Sequence, residues 1–336
     1  MNLPIALLTI KWMIRDTLRQ SLASRLFWVL LGITFICTIF CFSIRVEGDD
    51  LLPIGPSDIP QGLPANDPTV KKLGVDVVKK EGVDVYGSKI SIGFGLISIH
   101  EGRDRKDAVR FLQIWLAGIV ADTAGIFLVL IWTAGFLPGF LDPNHLTVLL
   151  AKPLPRWSLI FGKYLGVLVF VLIQASFFVL GTWLALGLKT GVYDGRYLLS
   201  LPVLLIHFGT FFSFSVLLAV WSRSTVVCVF GSLIFWVMCW GLNFGRHVAL
   251  TQFADQLPAS SYFILNTSYW LMPKPADMNL ILFDLLKATG FSAGVKEFQV
   301  LKEQDRFHPE LAVLSSLLFS SVMLLISARE LHKMDY

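Results

Sequence analysis

The sequence has little charge for its length. Only 15% of its 336 residues are charged, and 55% are hydrophobic, whereas soluble domains carry about 25% charge. The mean hydropathy of the chain is +0.67. Composition alone therefore predicts a membrane protein. The net charge of +4 is small and spread along the chain, so we expect no nucleic-acid partner.

The sequence also has few cysteines, and none of them lies in a polar setting. All four fall inside apolar runs, at Cys37, Cys41, Cys228 and Cys239. Cys37 and Cys41 share a helix face, but two thiols with no nearby histidine or acid make a poor metal site. We expect the four cysteines to act as small hydrophobic residues.

Several motifs of catalysis and nucleotide binding are absent from the chain. It contains no G-x-x-x-x-G-K-[ST] and no H-E-x-x-H. The chain is therefore not expected to bind ATP through a P-loop of its own, and these absences weaken an enzyme interpretation. We expect no cofactor and no metal on this chain.

Long apolar runs dominate the chain, and six are long enough to cross a bilayer, which takes about 20 residues. The six runs are 27–44, 111–136, 164–188, 197–222, 224–245 and 311–328. They predict an all-α polytopic membrane protein with six transmembrane helices. An even number of spans places both termini on one side.

The distribution of basic residues predicts which side that is. Four basic residues precede the first span, and two follow the last: Lys11, Arg15, Arg19, Arg25, Arg329 and Lys333. Basic residues favour the cytoplasm, whereas loops longer than about 60 residues cross largely regardless of charge. We therefore expect a plasma (inner) membrane protein with cytoplasmic termini and a cytoplasmic loop at 137–163. The loops 45–110 and 246–310 are then extracytoplasmic.

The predicted spans divide the chain into two regions, an N-terminal helix within 1–26 and a six-helix transmembrane domain at 27–336. In the first region, apolar and basic residues each recur every four positions: Ile10, Ile14, Leu18 and Leu22, then Lys11, Arg15 and Arg19. This pattern predicts an interfacial (elbow) helix that contacts membrane lipid. The alternative is a cytoplasmic helix packed on the bundle.

Both long loops contain segments with a recognisable pattern. In 45–110, the segments VDVV, VDVY and KISIGFGLISI alternate in polarity, and Tyr86-Gly87-Ser88 supplies a turn. They predict a small β-hairpin or sheet. In 246–310, MNLILFDLLKATG predicts a short amphipathic helix that ends at Gly290 and dips its apolar side into the outer leaflet.

Three polar residues lie near the centres of predicted spans: Asp122, Gln174 and His207. A functional role is the default hypothesis for an ionisable residue inside the membrane. The alternatives are a protonated Asp122 or interhelical hydrogen bonding, for example from Asp122 to His207. Because the spans contain no second acid, we favour the structural alternative. Glycine pairs four residues apart, Gly162 with Gly166 and Gly241 with Gly245, indicate close helix approach.

The stretch 146–166, LTVLLAKPLPRWSLIFGKYLG, interrupts the apolar sequence with basic residues and two prolines. Proline fixes φ and removes a backbone donor, so Lys152-Pro153-Leu154-Pro155-Arg156 forms a rigid break. Exposed apolar residues surrounded by charge indicate a docking surface for another protein. The alternative is an ordinary cytoplasmic loop whose charges only set the topology.

This stretch resembles the first cytoplasmic loop of ABC-2 type transporter permeases, in which L-L-[AS]-x-P-[VL]-x-R is followed by GK. The chain looks most similar to the permeases of multi-copper enzyme maturation, the class typified by nitrous oxide reductase maturation. The resemblance covers the amphipathic N-terminus, the six spans and both cytoplasmic ends, although the 45–110 loop is longer than expected for that class.

The resemblance implies a permease subunit that couples ATP hydrolysis by a separate ABC ATPase to export or mechanical work. The ATP and Mg²⁺ would be bound by that partner, and the permease would pair as a homodimer or with a second permease. The implied coupling contact consists of Leu149, Leu150, Lys152, Pro153, Leu154, Pro155, Arg156 and Trp157. The alternatives are an integral-membrane enzyme using Asp122 and His207, or an assembly protein of a membrane complex.

Overall fold

A computed structural model describes residues 3–47, 88–101, 105–141, 155–253, 258–286 and 307–333 of the chain. The α-helices are α1 Leu3–Ala23, α2 Arg25–Phe42, α3 Arg105–Ile114, α4 Ile126–Thr133, α5 Phe136–Phe140, α6 Arg156–Thr190, α7 Ser200–Ser222, α8 Thr225–Gln252, α9 Ala259–Leu271, α10 Pro275–Leu285 and α11 Pro309–Lys333. A π-helical segment, Trp115–Gly125, joins α3 to α4, and a 3₁₀-helix, Gly195–Leu199, precedes α7. The strands are β1 Arg45–Glu47, β2 Ser88–Ile92 and β3 Ile97–Glu101.

The six predicted spans are confirmed as six helices with the length and apolar composition needed to cross a membrane. They are Arg25–Phe42, Lys106–Phe140, Arg156–Thr190, Gly195–Ser222, Thr225–Gln252 and Pro309–Lys333. Most extend beyond the apolar runs, because a helix continues through polar flanking residues for as long as its backbone hydrogen bonds are satisfied. The chain is a multi-pass membrane protein.

The described chain divides into two compact units, of which the larger comprises residues 1–34, 114–179 and 195–336. Its central helix is α7, whose apolar stretch is mostly buried inside the protein. Phe208, Phe211 and Phe212 of α7 are at most 1% exposed and lie in the hydrophobic core. The outer helices of this unit instead expose large apolar residues, such as Phe230 and Ile234 on α8. Such a surface is suited to lipid.

The N-terminal helix α1 packs on the start of α6 in the larger unit. A Cβ atom added at Gly162 would lie 2.8 Å from Met13 Cβ, and one added at Gly166 would lie 2.8 Å from Thr17 Cβ. The close approach predicted for this glycine pair is therefore confirmed, because only glycine fits at these contacts. At Gly241 and Gly245 an added Cβ would meet no atom of the described chain within 4 Å, so no described helix approaches closely there.

The buried face of α1 differs from the predicted apolar stripe. It consists of small and flexible residues, Ala6, Thr9, Met13, Thr17 and Ser21, each at most 5% exposed. Leu7, Leu8 and Trp12 are more than half exposed. A polar but small face is buried here because it allows backbones to approach closely. The exposed residues leave an apolar surface available to lipid, and the interfacial role of α1 stays a prediction.

The smaller unit comprises residues 35–113 and 180–194. It contains a three-stranded antiparallel sheet in the order β1-β2-β3, which confirms the predicted small sheet. Within the described residues, KISIGFGLISI itself forms the hairpin β2–β3 with its turn at 93–96. Gly93, Phe94 and Gly95 have φ of 67°, 59° and 97°. Two glycines make this left-handed conformation accessible. The segments VDVV and VDVY and the Tyr86-Gly87 dipeptide lie outside the described residues.

The 246–310 loop contributes a pair of helices, α9 and α10, to the larger unit. Helix α10 begins at Pro275, earlier than the predicted helix, since proline is favourable in the first turn. It ends at Leu285, and the predicted end at Gly290 lies outside the described residues. Ala276, Met278 and Leu282 of α10 are buried within the protein. The expectation that this helix dips its apolar side into lipid is therefore wrong.

Candidate functional site

A hydrogen-bonded chain of three buried side chains links three spans in the larger unit. Asp122 Oδ1 lies 2.6 Å from His207 Nδ1, and Trp236 Nε1 donates to His207 Nε2 at 3.1 Å. Asp122 and His207 are each 1% exposed, and Trp236 is 7% exposed. The structure thus brings together two of the three polar residues identified in the sequence.

The partners of His207 determine which ring nitrogen carries its proton. An indole N–H can only donate, so Nε2 of His207 must accept. The proton of the neutral imidazole is then on Nδ1, which donates to Asp122. This tautomer is assigned from the hydrogen-bond network.

A fourth residue, Asn279 of α10, completes the network. Its Nδ2 donates to Asp122 Oδ2 and to the carbonyl oxygen of Gly118, at 3.3 Å in each case. Gly118 and Asp122 belong to the π-helical segment. Such segments leave backbone groups free for other partners and are frequent at functional sites. The network therefore joins the π-helical segment, α7, α8 and α10.

The geometry argues against an Asp-His catalytic pair. Both ring nitrogens of His207 are occupied by protein groups, so neither is available to take a proton from a substrate. The buried dyad also lacks the exposure that a substrate would need. Its contacts are those of a structural link between helices.

Gln174 is the predicted polar residue that lies apart from this network. Its Nε2 donates to Thr34 Oγ1 at 3.1 Å, which joins α6 to α2. Gln174 is 7% exposed. The three polar residues at the span centres therefore belong to two separate clusters.

A second polar cluster surrounds Asp277 at the start of α10. The carboxylate is fully buried and accepts hydrogen bonds from His247 Nε2 at 2.6 Å, Tyr269 Oη at 2.6 Å and Asn243 Nδ2 at 3.1 Å. The backbone N–H of Asp277 donates in return to Asn243 Oδ1 at 3.0 Å. Burial alone would raise the pKa of Asp277, but the bonds from His247, Tyr269 and Asn243 together hold the pKa below its usual value.

Two cations lie on the same tyrosine ring beside Asp277. The Arg246 guanidinium carbon is 3.8 Å from the centre of the Tyr269 ring, and Lys274 Nζ is 4.6 Å from it. Lys274 also donates to Ser315 Oγ of α11. Burial lowers the pKa of Lys274 to about 8, because the charged amine loses its hydration. Burial likewise raises the pKa of the Tyr269 hydroxyl, with Asp277 adding to the shift.

Part of this second cluster could have been identified in the sequence, from polar residues at helical spacing near the end of the fifth span. Asn243, Arg246 and His247 lie at helical spacing on α8, which continues past the end of its apolar run, predicted at residue 245. All three are at most 7% exposed. Their spacing indicates one polar helix face, but their partners on α9, α10 and α11 could not be identified from it. The cluster anchors the helices of the 246–310 loop to the spans.

Most of the predicted coupling contact lies outside the described residues, namely 149–154. Pro155, Arg156 and Trp157 are described at the start of α6 and are partly buried. Arg156 Nη1 donates to the carbonyl oxygens of His332 at 3.1 Å and Leu331 at 3.4 Å. A cation at these carbonyls stabilises the C-terminal end of α11. Arg156 therefore links the start of α6 to the end of the last span.

The comparisons with known proteins identify the family of this chain. The comparison with curated proteins finds no match. The profile of the family described as "ABC-2 family transporter protein" matches residues 12–328. That range begins within α1 and contains all of the first five spans and most of the sixth. The chain belongs to the ABC-2 family of transporter proteins and is a permease-type membrane subunit.

Proposed function

We propose that this chain is the permease of an ABC transporter and that a separate ATPase subunit drives it. The observation that carries this proposal is a family match across six membrane spans in a chain without a P-loop motif. Permeases of the ABC-2 family generally work with an ABC ATPase subunit. Energy from ATP then has to enter this chain through a protein contact on the cytoplasmic side.

The segment 149–157 is the proposed contact with the ATPase. Its sequence combines three leucines with Lys152 and two prolines. The segment leads directly into α6, a helix of 35 residues. Because Arg156 holds the carbonyl oxygens at the end of α11, a displacement of this segment would be passed to two spans at once. A rigid segment transmits such a displacement, whereas a flexible one would absorb it.

The test is a charge reversal at Lys152 with a matched reversal at Lys189. Lys152 precedes α6 on the side expected to be cytoplasmic, whereas Lys189 is an exposed residue in the last turn of α6, at its expected extracytoplasmic end. Lys152→Glu is expected to lower the amount of ATPase that copurifies with the permease and its stimulated ATP hydrolysis, both by about tenfold. Loss of one interfacial charge pair costs about 1.5 kcal/mol or more, which corresponds to that factor.

Lys189→Glu is expected to leave both measurements unchanged. Arg156→Glu is a poorer test, because the new carboxylate would also face the carbonyl oxygens of α11. Equal ATPase binding and hydrolysis for Lys152→Glu and the parent chain would contradict the proposed contact. Failure of any ATPase to copurify with the parent chain would contradict the proposed function itself.

Three finer proposals follow from the resemblance of 146–166 to a particular class of permeases. The chain serves the maturation of multi-copper enzymes, it works as a dimer of permeases, and it resides in the inner membrane with cytoplasmic termini. The first is tested by deleting the gene and measuring the copper content of the multi-copper enzymes purified from the same cells. Unchanged copper content in the deletion strain would remove this assignment and leave the transporter assignment intact.

A further inference from the structure

The N-terminal helix α1 carries a row of basic residues on the face that the rest of the protein leaves uncovered. Lys11, Arg15 and Arg19 follow one another every four residues, and all three are exposed. Four residues rise about 6 Å along a helix, so the row is about 12 Å long. In the part of the chain that the structure describes, none of the three cations is paired with an acid. Their charge is therefore available to a partner outside the chain.

Large apolar side chains lie among these cations. Leu8 is 66% exposed, and Trp12 and Leu22 are each 52% exposed. At about 100° of rotation per residue, these three side chains and the three cations all fall within about 100° of the helix circumference. The single acid of α1, Asp16, lies outside this sector, and its Oδ2 accepts a hydrogen bond from Gln20 Nε2 at 2.8 Å. The face therefore combines positive charge with apolar surface and contains no acid.

The contacts of α1 place this face at the membrane boundary. Helix α1 packs on Gly162 and Gly166 of α6, where the apolar run of the third span begins. Only Ser24 separates α1 from α2, which is the first span. Ser24 Oγ also accepts a hydrogen bond from Trp132 Nε1, near the end of the second span. Helix α1 therefore lies beside the ends of three spans that meet on one side of the membrane.

The apolar surface of α1 continues into the first span. Leu26, Trp28 and Val29 are 50%, 62% and 55% exposed. A partner that covers both helices must therefore be anionic beside α1 and apolar beside α2. The boundary between the headgroups and acyl chains of an anionic membrane meets both requirements. A water-soluble protein such as the ATPase would pair with the cations, but it would not cover a surface that continues into the membrane.

We propose that α1 binds anionic phospholipid headgroups through Lys11, Arg15 and Arg19. The exposed leucines and Trp12 lie in the headgroup and acyl boundary beside them. Because α1 packs on the first turns of α6, which follow the proposed coupling segment, bound anionic lipid holds the start of α6 in place. The binding is a property of the permease alone and is measured without the ATPase, so its failure would leave the proposed function intact.

The experiment measures which lipid surrounds α1 in the full chain. A bimane label at Leu22→Cys, in a chain without the four native cysteines, reports the lipid one turn from Arg19. Nanodiscs contain equal amounts of phosphatidylglycerol and phosphatidylcholine, and either one lipid or the other carries brominated acyl chains that quench bimane.

Quenching by brominated phosphatidylglycerol is expected to be the stronger. The local ratio of phosphatidylglycerol to phosphatidylcholine is expected to exceed the bulk ratio about fivefold or more, because about one basic residue near anionic lipid is worth that factor. In about 1 M salt the preference is expected to fall strongly, because the Debye length is then only about 3 Å.

Matched variants and a second label position provide the controls. Lys11→Gln/Arg15→Gln/Arg19→Gln is expected to remove the preference. Lys11→Arg/Arg15→Lys/Arg19→Lys is expected to keep it, because the charge selects the headgroup. Arg329→Gln, at an exposed residue of α11, is expected to leave it unchanged. A label at Ile234→Cys on α8, a position that is 66% exposed, is expected to be quenched equally by the two lipids.

Three results would overturn the proposal. The first is equal quenching by the two lipids at Leu22→Cys in low salt. The second is a preference for phosphatidylglycerol that neither salt nor the glutamine substitutions reduce. The third is a glutamine variant that keeps the lipid preference but no longer copurifies with the ATPase, which would show that the ATPase covers the row. If the glutamine variant does not fold, the salt dependence of the parent chain decides.

Discussion

At the scale of single residues, the polar side chains inside the bundle are matched to one another. Asp122 and Asp277 are both at most 1% exposed, and each lies 2.6 Å from a histidine nitrogen. A buried carboxylate is tolerated only when donors replace its lost hydration. These residues therefore make the packing of α10 against the spans specific, because another packing would leave the carboxylates without donors.

The first prediction concerns Asp122. Asp122→Asn is expected to stay folded and to lose about 1–2 kcal/mol of unfolding free energy, because the amide oxygen still accepts from His207 while the bond from Asn279 is lost. Asp122→Leu is expected to lose about 3 kcal/mol or more, since both donors are left unpaired. Reversible unfolding in mixed micelles measures both variants.

Two results would argue against this structural role. The first is an equal loss of stability for Asp122→Asn and Asp122→Leu. The second is an Asp122→Asn variant with normal stability and normal stimulation of ATP hydrolysis but no transport, which would make the charge of Asp122 functional.

The second prediction is a pH dependence caused by Lys274. Its pKa in the folded protein is about 8, below the value of about 10.4 for an unfolded chain. Between these values the unfolded state binds more protons, so the unfolding free energy rises with pH. The rise from pH 8 to pH 10 is expected to be roughly 2 kcal/mol, and Lys274→Met is expected to lack it.

The control for Lys274 is Lys333→Met, at an exposed lysine that pairs with Glu330. This variant is expected to retain the rise of the parent chain. The same difference in unfolding free energy between pH 8 and pH 10 for Lys274→Met and the parent chain would show that Lys274 does not cause it.

At the scale of elements, close approach between helices depends on where glycine meets a neighbour. Two glycine pairs with the same spacing differ in what an added Cβ would meet. At Gly162 and Gly166 it would meet α1, whereas at Gly241 and Gly245 it would meet no described atom within 4 Å. The π-helical segment shows a similar dependence on context. Its small residues leave room for an apolar pocket on one face and for Asn279 on the other.

The third prediction compares the two glycine pairs. Gly162→Ala/Gly166→Ala is expected to destabilise the protein by about 1–3 kcal/mol and to expose α1 to protease, because each new Cβ would lie 2.8 Å from an α1 side chain. Gly241→Ala/Gly245→Ala is expected to be neutral or slightly stabilising, since alanine favours a helix. Thermal unfolding and limited proteolysis measure both pairs, and equal effects would contradict the packing of α1 on α6.

At the scale of the whole molecule, six spans require both termini to lie on one side of the membrane. Contacts within the larger unit agree with this arrangement. Arg156 at the start of the third span bonds to the end of the last span, and Trp132 Nε1 near the end of the second span donates to Ser24 Oγ before the first, at 3.2 Å. Which side is cytoplasmic depends on the basic residues of the N-terminus.

The fourth prediction is the orientation of the chain. Leu96 at the hairpin turn is 89% exposed, and Ser222, the last residue of α7, is also exposed. In a chain lacking the four native cysteines, an impermeant thiol reagent added to intact cells is expected to label Leu96→Cys and not Ser222→Cys. Permeabilised cells label both. The opposite pattern in intact cells would reverse the orientation and place the proposed coupling segment on the wrong side.

Composition and the lengths of the apolar runs were enough to predict the class of the protein and the number of its spans. Both depend on local quantities, since crossing a bilayer takes a run of apolar residues of a certain length. The same is true of the small sheet and the polar residues at Asp122, Gln174 and His207, which stand out against an apolar background. The family resemblance also rests on a short local pattern at 146–166.

Which of these residues contact one another depends on how the helices pack in three dimensions. Asp122 and His207 are 85 positions apart, and Asn279 reaches Asp122 from a loop helix 157 positions away. Trp236 carries no sequence signal for its bond to His207, because tryptophan is common in membrane spans. The cluster around Asp277 and the apolar pocket beside Gln174 likewise depend on the packing of several helices. A hydrogen bond or a void between helices is a property of their relative placement, and the composition of each helix does not contain it.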